Sequence, residues 1–307
     1  MAIDSRIAFV GHSHESDRDF MEQQDSTHIN VAGSCSPLES LPAELRDQIL
    51  LSMPDLPSLR SIVHASPVMH AQYRSNRDSL LRACLERELD GFFVHAYACA
   101  MSRVGKVGKV RTDEAITGFL DGYRRWLPAS PAAGPSLPID PTKVHRSYIR
   151  WMAAFQLRVA RPLTRMYSIW ALTNLVQSAA SSSPEEQAAA TAAAGGQDAS
   201  TCTPSRSEEV RIMRAIYQCE TYYHLFGRNE AVRQGSFCHF EINDIFFSLF
   251  DPWEAEAVGC IDKFVRQRYD LIFDKVQADL HRVNPKFKQK IDPVERKGNV
   301  LPQDGLL

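Results

Sequence analysis

Apolar residues three and four positions apart recur from Leu38 to about residue 282, and this period constrains the fold more than anything else in the chain. Segments near 42–52, 56–65, 67–74, 77–101, 113–126, 143–177, 207–226 and 253–282 carry it. The repeated short Val/Ile/Thr alternation of a β-rich domain does not occur, nor does a repeat of 20–50 residues. An all-α fold follows. Two stretches interrupt it. Residues 127–141, reading LPASPAAGPSLPIDP, form a proline-rich loop. Residues 179–206 are rich in Ala, Ser, Gly and Thr and hold almost no large apolar side chain, so they are expected to be a disordered insertion that cannot bury enough surface to offset ordering.

Charge and cysteine usage narrow the function classes. The 307 residues carry a formal charge of −2, which gives no global field towards polyanions. The basic, acid-free segment 143–177 is the local exception. Arg146, Arg150, Arg158, Arg161 and Arg165 share one helical face, and Tyr148, Trp151, Phe155, Val159, Met166 and Trp170 share another. A helix of this kind can meet an acidic partner, a membrane surface or nucleic acid, but a solvated face balanced by residues such as Glu208, Glu209, Asp251, Glu254 and Glu256 is the favoured reading. Pro162 is expected to kink or split it. Seven scattered cysteines without a Cys-x-x-Cys pair match no zinc framework and suit free thiols in a reducing compartment, cytoplasm or nucleus. His12 and His14 alone make no metal site, and Gly105–Lys109 lacks the spacing and the Ser/Thr of a phosphate-binding loop. No secretory leader or membrane-spanning run is visible, and no cofactor motif. Cys238-His239 is the one adjacent Cys–His pair, and neighbours in sequence rarely form a nucleophile and its base. Hence no catalytic residue is assigned.

The most informative stretch is residues 41–73, LPAELRDQILLSMPDLPSLRSIVHASPVMHAQY. Pro42 suits the first helical position, Glu44 suits the first turn, and Leu41, Leu45, Ile49 and Met53 make a stripe before Pro54 stops the helix. Asp55 with Pro57, then Ser66 with Pro67, start two further short helices carrying Leu56, Leu59, Ile62 and Val63, and then Met69 and Tyr73. Leu-Pro-x-Glu-Leu, Ile49-Leu50, Leu56-x-x-Leu59-x-x-Ile62 and Ala65-Ser66-Pro67-x-Met69 together resemble an F-box from its first helix to its third. His64–Pro67, His70 and Tyr73 are similar to a large filamentous-fungal group of F-box proteins, as are Ser207–Gly227 and Asp251–Phe264. Met69 stands where many F-boxes have an aromatic residue.

The resemblance implies docking on the Skp-family adaptor, and through it a cullin, of a ubiquitin ligase, with a client protein held elsewhere. It carries over Leu41, Pro42, Leu45, Ile49, Leu56, Leu59 and Met69 as adaptor-facing or module-core positions. The expected organisation is a tail over 1–37, the F-box-like module over 38–75, a helical region over 76–178, the insertion over 179–206, a second helical region over 207–284 and a basic tail over 285–307. In the last region Asp251, Pro252 and Glu254 are expected to start a helix whose stripe, Val258, Ile261, Val265, Ile272, Val276 and Leu280, is buried, with Trp253 in the core. The alternative is a helical interaction scaffold outside ubiquitin ligases that uses the basic helix 143–177. Nucleic acid and membrane are not expected partners.

Overall fold

The structure, a computed structural model, describes residues 36–103, 111–127, 139–180, 204–227, 233–234 and 237–280. The expected tails, most of the low-complexity insertion and of the proline-rich loop, His12, His14 and Gly105–Lys109 lie outside the described residues. Those described form an all-α fold, α1 (Ala43–Leu51), α2 (Leu56–Ala65), α3 (Pro67–Glu88), α4 (Phe93–Met101), α5 (Asp113–Trp126), α6 (Arg146–Phe155), α7 (Arg161–Ala180), α8 (Arg206–Phe226), α9 (His239–Ile245) and α10 (Pro252–Leu280). The only pairing of extended chain among them is two residues long, Arg111–Thr112 parallel to Arg233–Gln234. No described helix is long and apolar enough to cross a membrane.

Local chemistry sets the early helices. The Asp55 carboxylate accepts from the Ser58 amide at 2.9 Å, and the Ser66 hydroxyl from the Met69 amide at 3.3 Å, each ahead of a proline in the first turn. α1 begins differently. Pro42 sits one residue before the helix, at φ −53° and ψ 150°, with no side-chain cap, and Glu44 stands in the first turn. The segments 67–74 and 77–101 are divided otherwise than their periods suggest. α3 runs through both with a non-helical Asn76 (φ −120°, ψ 20°), and the true break comes at Gly91. Gly91 has φ 83°, a region that costs any residue with a Cβ, and its carbonyl accepts from Arg214 at 3.0 Å.

The interruption expected at Pro162 falls just before it. The chain passes from α6 to α7 through a π-turn at Gln156–Ala160, where the Arg161 amide reaches back to the Gln156 carbonyl. Pro162 has no N–H and its ring crowds the carbonyl four residues earlier, and the wider turn just before it relieves both.

Two units divide between Ile261 and Asp262. In the first, α3 packs on α1, α2 and α6, and α4 lies against α6 and α8. Leu50, Leu56, Leu59, Val63, Met69 and Tyr73 are buried in its amino-terminal part. A second cluster joins Ala98, Ile116, Leu120, Tyr123, Leu225, Phe226, Ile242, Phe246 and Phe250. In the second unit, Phe264 and Val265 are buried but Leu271, Ile272, Phe273 and Val276 are exposed. The expected buried stripe of α10 therefore holds at Val258, Ile261 and Val265 and fails at Ile272 (58% exposed) and Val276. A helical period marks a face that can be covered; it does not supply the cover.

Candidate docking surface

α1 has two faces of unlike character. Leu50 is its fully buried side chain. Beside it, Arg46 donates to the carbonyls of Glu39 and Leu41, both at 3.0 Å. The Asp47 carboxylate accepts from Gln72 (2.7 Å) and Asn76 (2.6 Å) of α3. At 100° per residue, positions 46, 47 and 50 of the helix point one way and positions 45 and 49 another, with Leu41 and Pro42 leading into it. The second set is the apolar one. Pro42 is exposed, Leu45 is 43% exposed, and Leu41 and Ile49 are half-buried. Of the seven residues singled out in sequence, Leu56, Leu59 and Met69 thus lie in the interior, and Leu41, Pro42, Leu45 and Ile49 form an outward apolar strip on a helix clamped by its polar side.

A buried polar network holds this unit to the helices that follow. Glu88, at the end of α3, is buried and accepts three bonds: from the Leu56 amide (2.8 Å), Gln156 Nε2 (2.9 Å) and Arg161 (2.8 Å). The Leu56 amide is one of the orphan donors at the start of α2, so Glu88 caps that helix from another. Arg161 also reaches the Asp55 carboxylate at 3.3 Å, and Tyr217 of α8 donates to Gln156 Oε1 at 3.0 Å. Burial raises the Asp55 pKa, but the Ser58 hydrogen bonds and Arg161 outweigh it and hold the carboxyl below its usual range. No local period announces this network, because every bond in it but the Asp55 cap spans tens of residues.

It also revises the account of the basic helix. Arg150 grips Asp78 through two bonds, 2.7 and 2.9 Å, and Arg161 takes Asp55 and Glu88. The expected acidic partners are used elsewhere, Glu254 on Arg214 and Glu209 on Arg206. The reason is packing, since α3 brings Asp78 and Glu88 to these arginines. Arg146, Arg158 and Arg165 stay exposed.

Trp253 is not core. It stands 67% exposed in the first turn of α10, and Glu254 points to Arg214 instead of back towards Asp251. Phe240 of α9 is likewise exposed. The helix α8 starts one residue earlier than its period shows, because Ser205 and Glu208 form a capping box; Ser-x-x-Glu was the sequence signal for it.

The titratable groups inside the first unit are sealed. His95 is buried with Nδ1 2.7 Å from the Tyr123 hydroxyl, and burial, with Arg214 acting the same way, lowers its pKa to about 3. Burial pushes the Cys84 thiol up to about 12 and the Cys99 thiol well above its ordinary value, which keeps both protonated. Ser102, His224 and Glu220 form a chain with steps of 2.9 and 3.2 Å, reminiscent of a hydrolase triad. The serine, however, is fully buried and its hydroxyl donates to the Cys99 carbonyl at 2.9 Å, so no substrate reaches it in this conformation. Cys238 and His239 are both exposed, at the start of α9. Among the described residues no His/Cys/Asp/Glu group is arranged to hold a metal. Comparison with protein-family models, curated proteins and solved structures finds no match to this chain.

Proposed function

We propose that the chain is an F-box-type substrate receptor, which docks a Skp-family adaptor of a cullin–RING ubiquitin ligase through α1–α3 and a client protein through the helices beyond. The observation that carries this reading is the outward strip Leu41, Pro42, Leu45 and Ile49 on a helix whose opposite side is fixed by Leu50, Arg46 and Asp47. An apolar strip held on a rigid support is what a protein partner can cover with little ordering cost. Met69, the departure from the usual F-box aromatic, lies fully buried, so it bears on packing inside the module and not on the docking strip. Ligase chemistry would belong to the partner subunits. Phe240 and Trp253 are the exposed aromatic anchors on offer to a client. The scaffold alternative has less to work with, because two of the five arginines on the basic helix are taken up inside the molecule.

Affinity purification of the full chain from its native organism, after brief crosslinking, tests this. The expected eluate contains a Skp-family adaptor and a cullin beside a client. Partners recovered without adaptor or cullin would transfer the assignment to the scaffold.

A further inference from the structure

α9, a 3-10 turn at Phe247–Leu249 and the first turn of α10 make a corner of the first unit with two unlike sides. The inner side is apolar and packed: Ile242, Phe246 and Phe250 are buried in one cluster with Tyr123 and Phe226. The outer side carries Phe240, 80% exposed, and Trp253, the two most exposed large apolar side chains among the described residues. Both rings therefore stand on a fixed support, and neither is needed to hold it together.

Charge on this corner has one sign. Residues 237–261 hold five carboxylates, Glu241, Asp244, Asp251, Glu254 and Glu256, and no lysine or arginine. Glu254 is spent on Arg214, and the Glu241 carboxylate accepts from the Cys238 amide at 2.7 Å. Asp244, Asp251 and Glu256 are exposed and ion-pair with no described residue. Helical spacing sets two of these beside the rings. Asp244 follows Phe240 by four positions on α9, and Glu256 follows Trp253 by three on α10, so each exposed ring shares a helical face with an exposed carboxylate one turn along. A ring attracts a guanidinium or ammonium and covers its aliphatic stem, and a carboxylate beside it takes the charge. An acidic or wholly apolar partner would instead leave these carboxylates opposed or covered without a counter-charge.

We propose that this face docks a basic segment of a partner protein, with an arginine or lysine seated at each ring–carboxylate pair. That the partner is a client rests on the receptor reading; the chemistry of the face uses no residue of the α1 strip.

The probe is a short labelled peptide of alternating Arg and Gly, titrated with the full chain at low ionic strength and followed by fluorescence anisotropy, with the Glu-Gly counterpart as reference. A Kd on the order of tens of micromolar is expected for the basic peptide. Phe240→Ala with Trp253→Ala should weaken it about tenfold, and Asp244→Asn with Glu256→Gln about fivefold. All four side chains are exposed, so both variants are expected to melt within about 2 °C of the native chain. Glu44→Gln with Glu86→Gln removes the same charge from exposed positions of α1 and α3 and should leave affinity within about twofold. The proposal is overturned if the basic peptide does not bind, if the acidic peptide binds as tightly, or if the α1 and α3 charges cost as much as those of α9 and α10. Titration with a Skp-family adaptor separates it from the receptor reading. A chain that binds the peptide and no adaptor keeps this face and loses the receptor assignment; one that binds the adaptor and not the peptide loses this face alone.

Discussion

Glu88 and Arg161 show how much of this molecule rests on single residues whose partners are distant in sequence. The Glu88 carboxylate serves α2, the π-turn and α7 at once. Removing one member of a buried pair leaves an uncompensated charge, which costs more than the pair was worth. Arg161→Met is expected to lower stability by about 3 kcal/mol at neutral pH, read by urea unfolding. The same variant has a signature in acid. Asp55 is depressed in the folded state, so its contribution is present above the ordinary carboxylate pKa and is lost as pH falls through the lower, folded value. Without Arg161 part of that depression goes, and the acid limb below about pH 4 should flatten; what remains belongs to Ser58. A loss under about 1 kcal/mol with an unchanged acid limb would show that the network does not hold the unit in place.

Elements set by neighbouring residues were legible in the sequence; elements set by distant ones were not. Asp55-x-Pro57 and Ser66-Pro67 start helices by chemistry contained within four residues, and α2 and α3 begin where those signals stand. The bend at Asn76 depends on Asp47, twenty-nine positions away, and no local pattern announces it. On α1 the apolar stripe was visible, but the sequence alone does not tell an inward stripe from an outward one. Only the Asp47 clasp and the buried Leu50 reveal that Leu45 looks out, with Leu41 and Ile49 half-buried beside it. The distal half of α10 makes the converse point, with a regular stripe that is uncovered at Ile272 and Val276. Truncation should separate the two halves. Ile261→Ala is expected to cost about 3 kcal/mol, as a buried aliphatic truncation does, and Val276→Ala less than about 0.5 kcal/mol. Equal losses in urea unfolding would contradict the division of that helix.

At the scale of the whole molecule, the first unit joins an outward apolar strip at one end to exposed aromatic residues on α9 and α10, with the Glu88–Arg161 network between α2, α7 and α8. That arrangement suits a receptor, because partners bound at separate places are then carried by one framework. The account depends most on Leu45, a leucine that contributes little to the fold because it is 43% exposed, yet lies in the middle of the proposed interface. The direct test is calorimetric titration of the full chain and of Leu45→Lys with a purified Skp-family adaptor, alongside thermal unfolding of both. The account predicts micromolar or tighter binding by the native chain, a loss of about 2 kcal/mol or more in the variant, and melting temperatures within about 2 °C of each other. A Leu45→Lys chain that melts normally and binds the adaptor as tightly as the native one would contradict it.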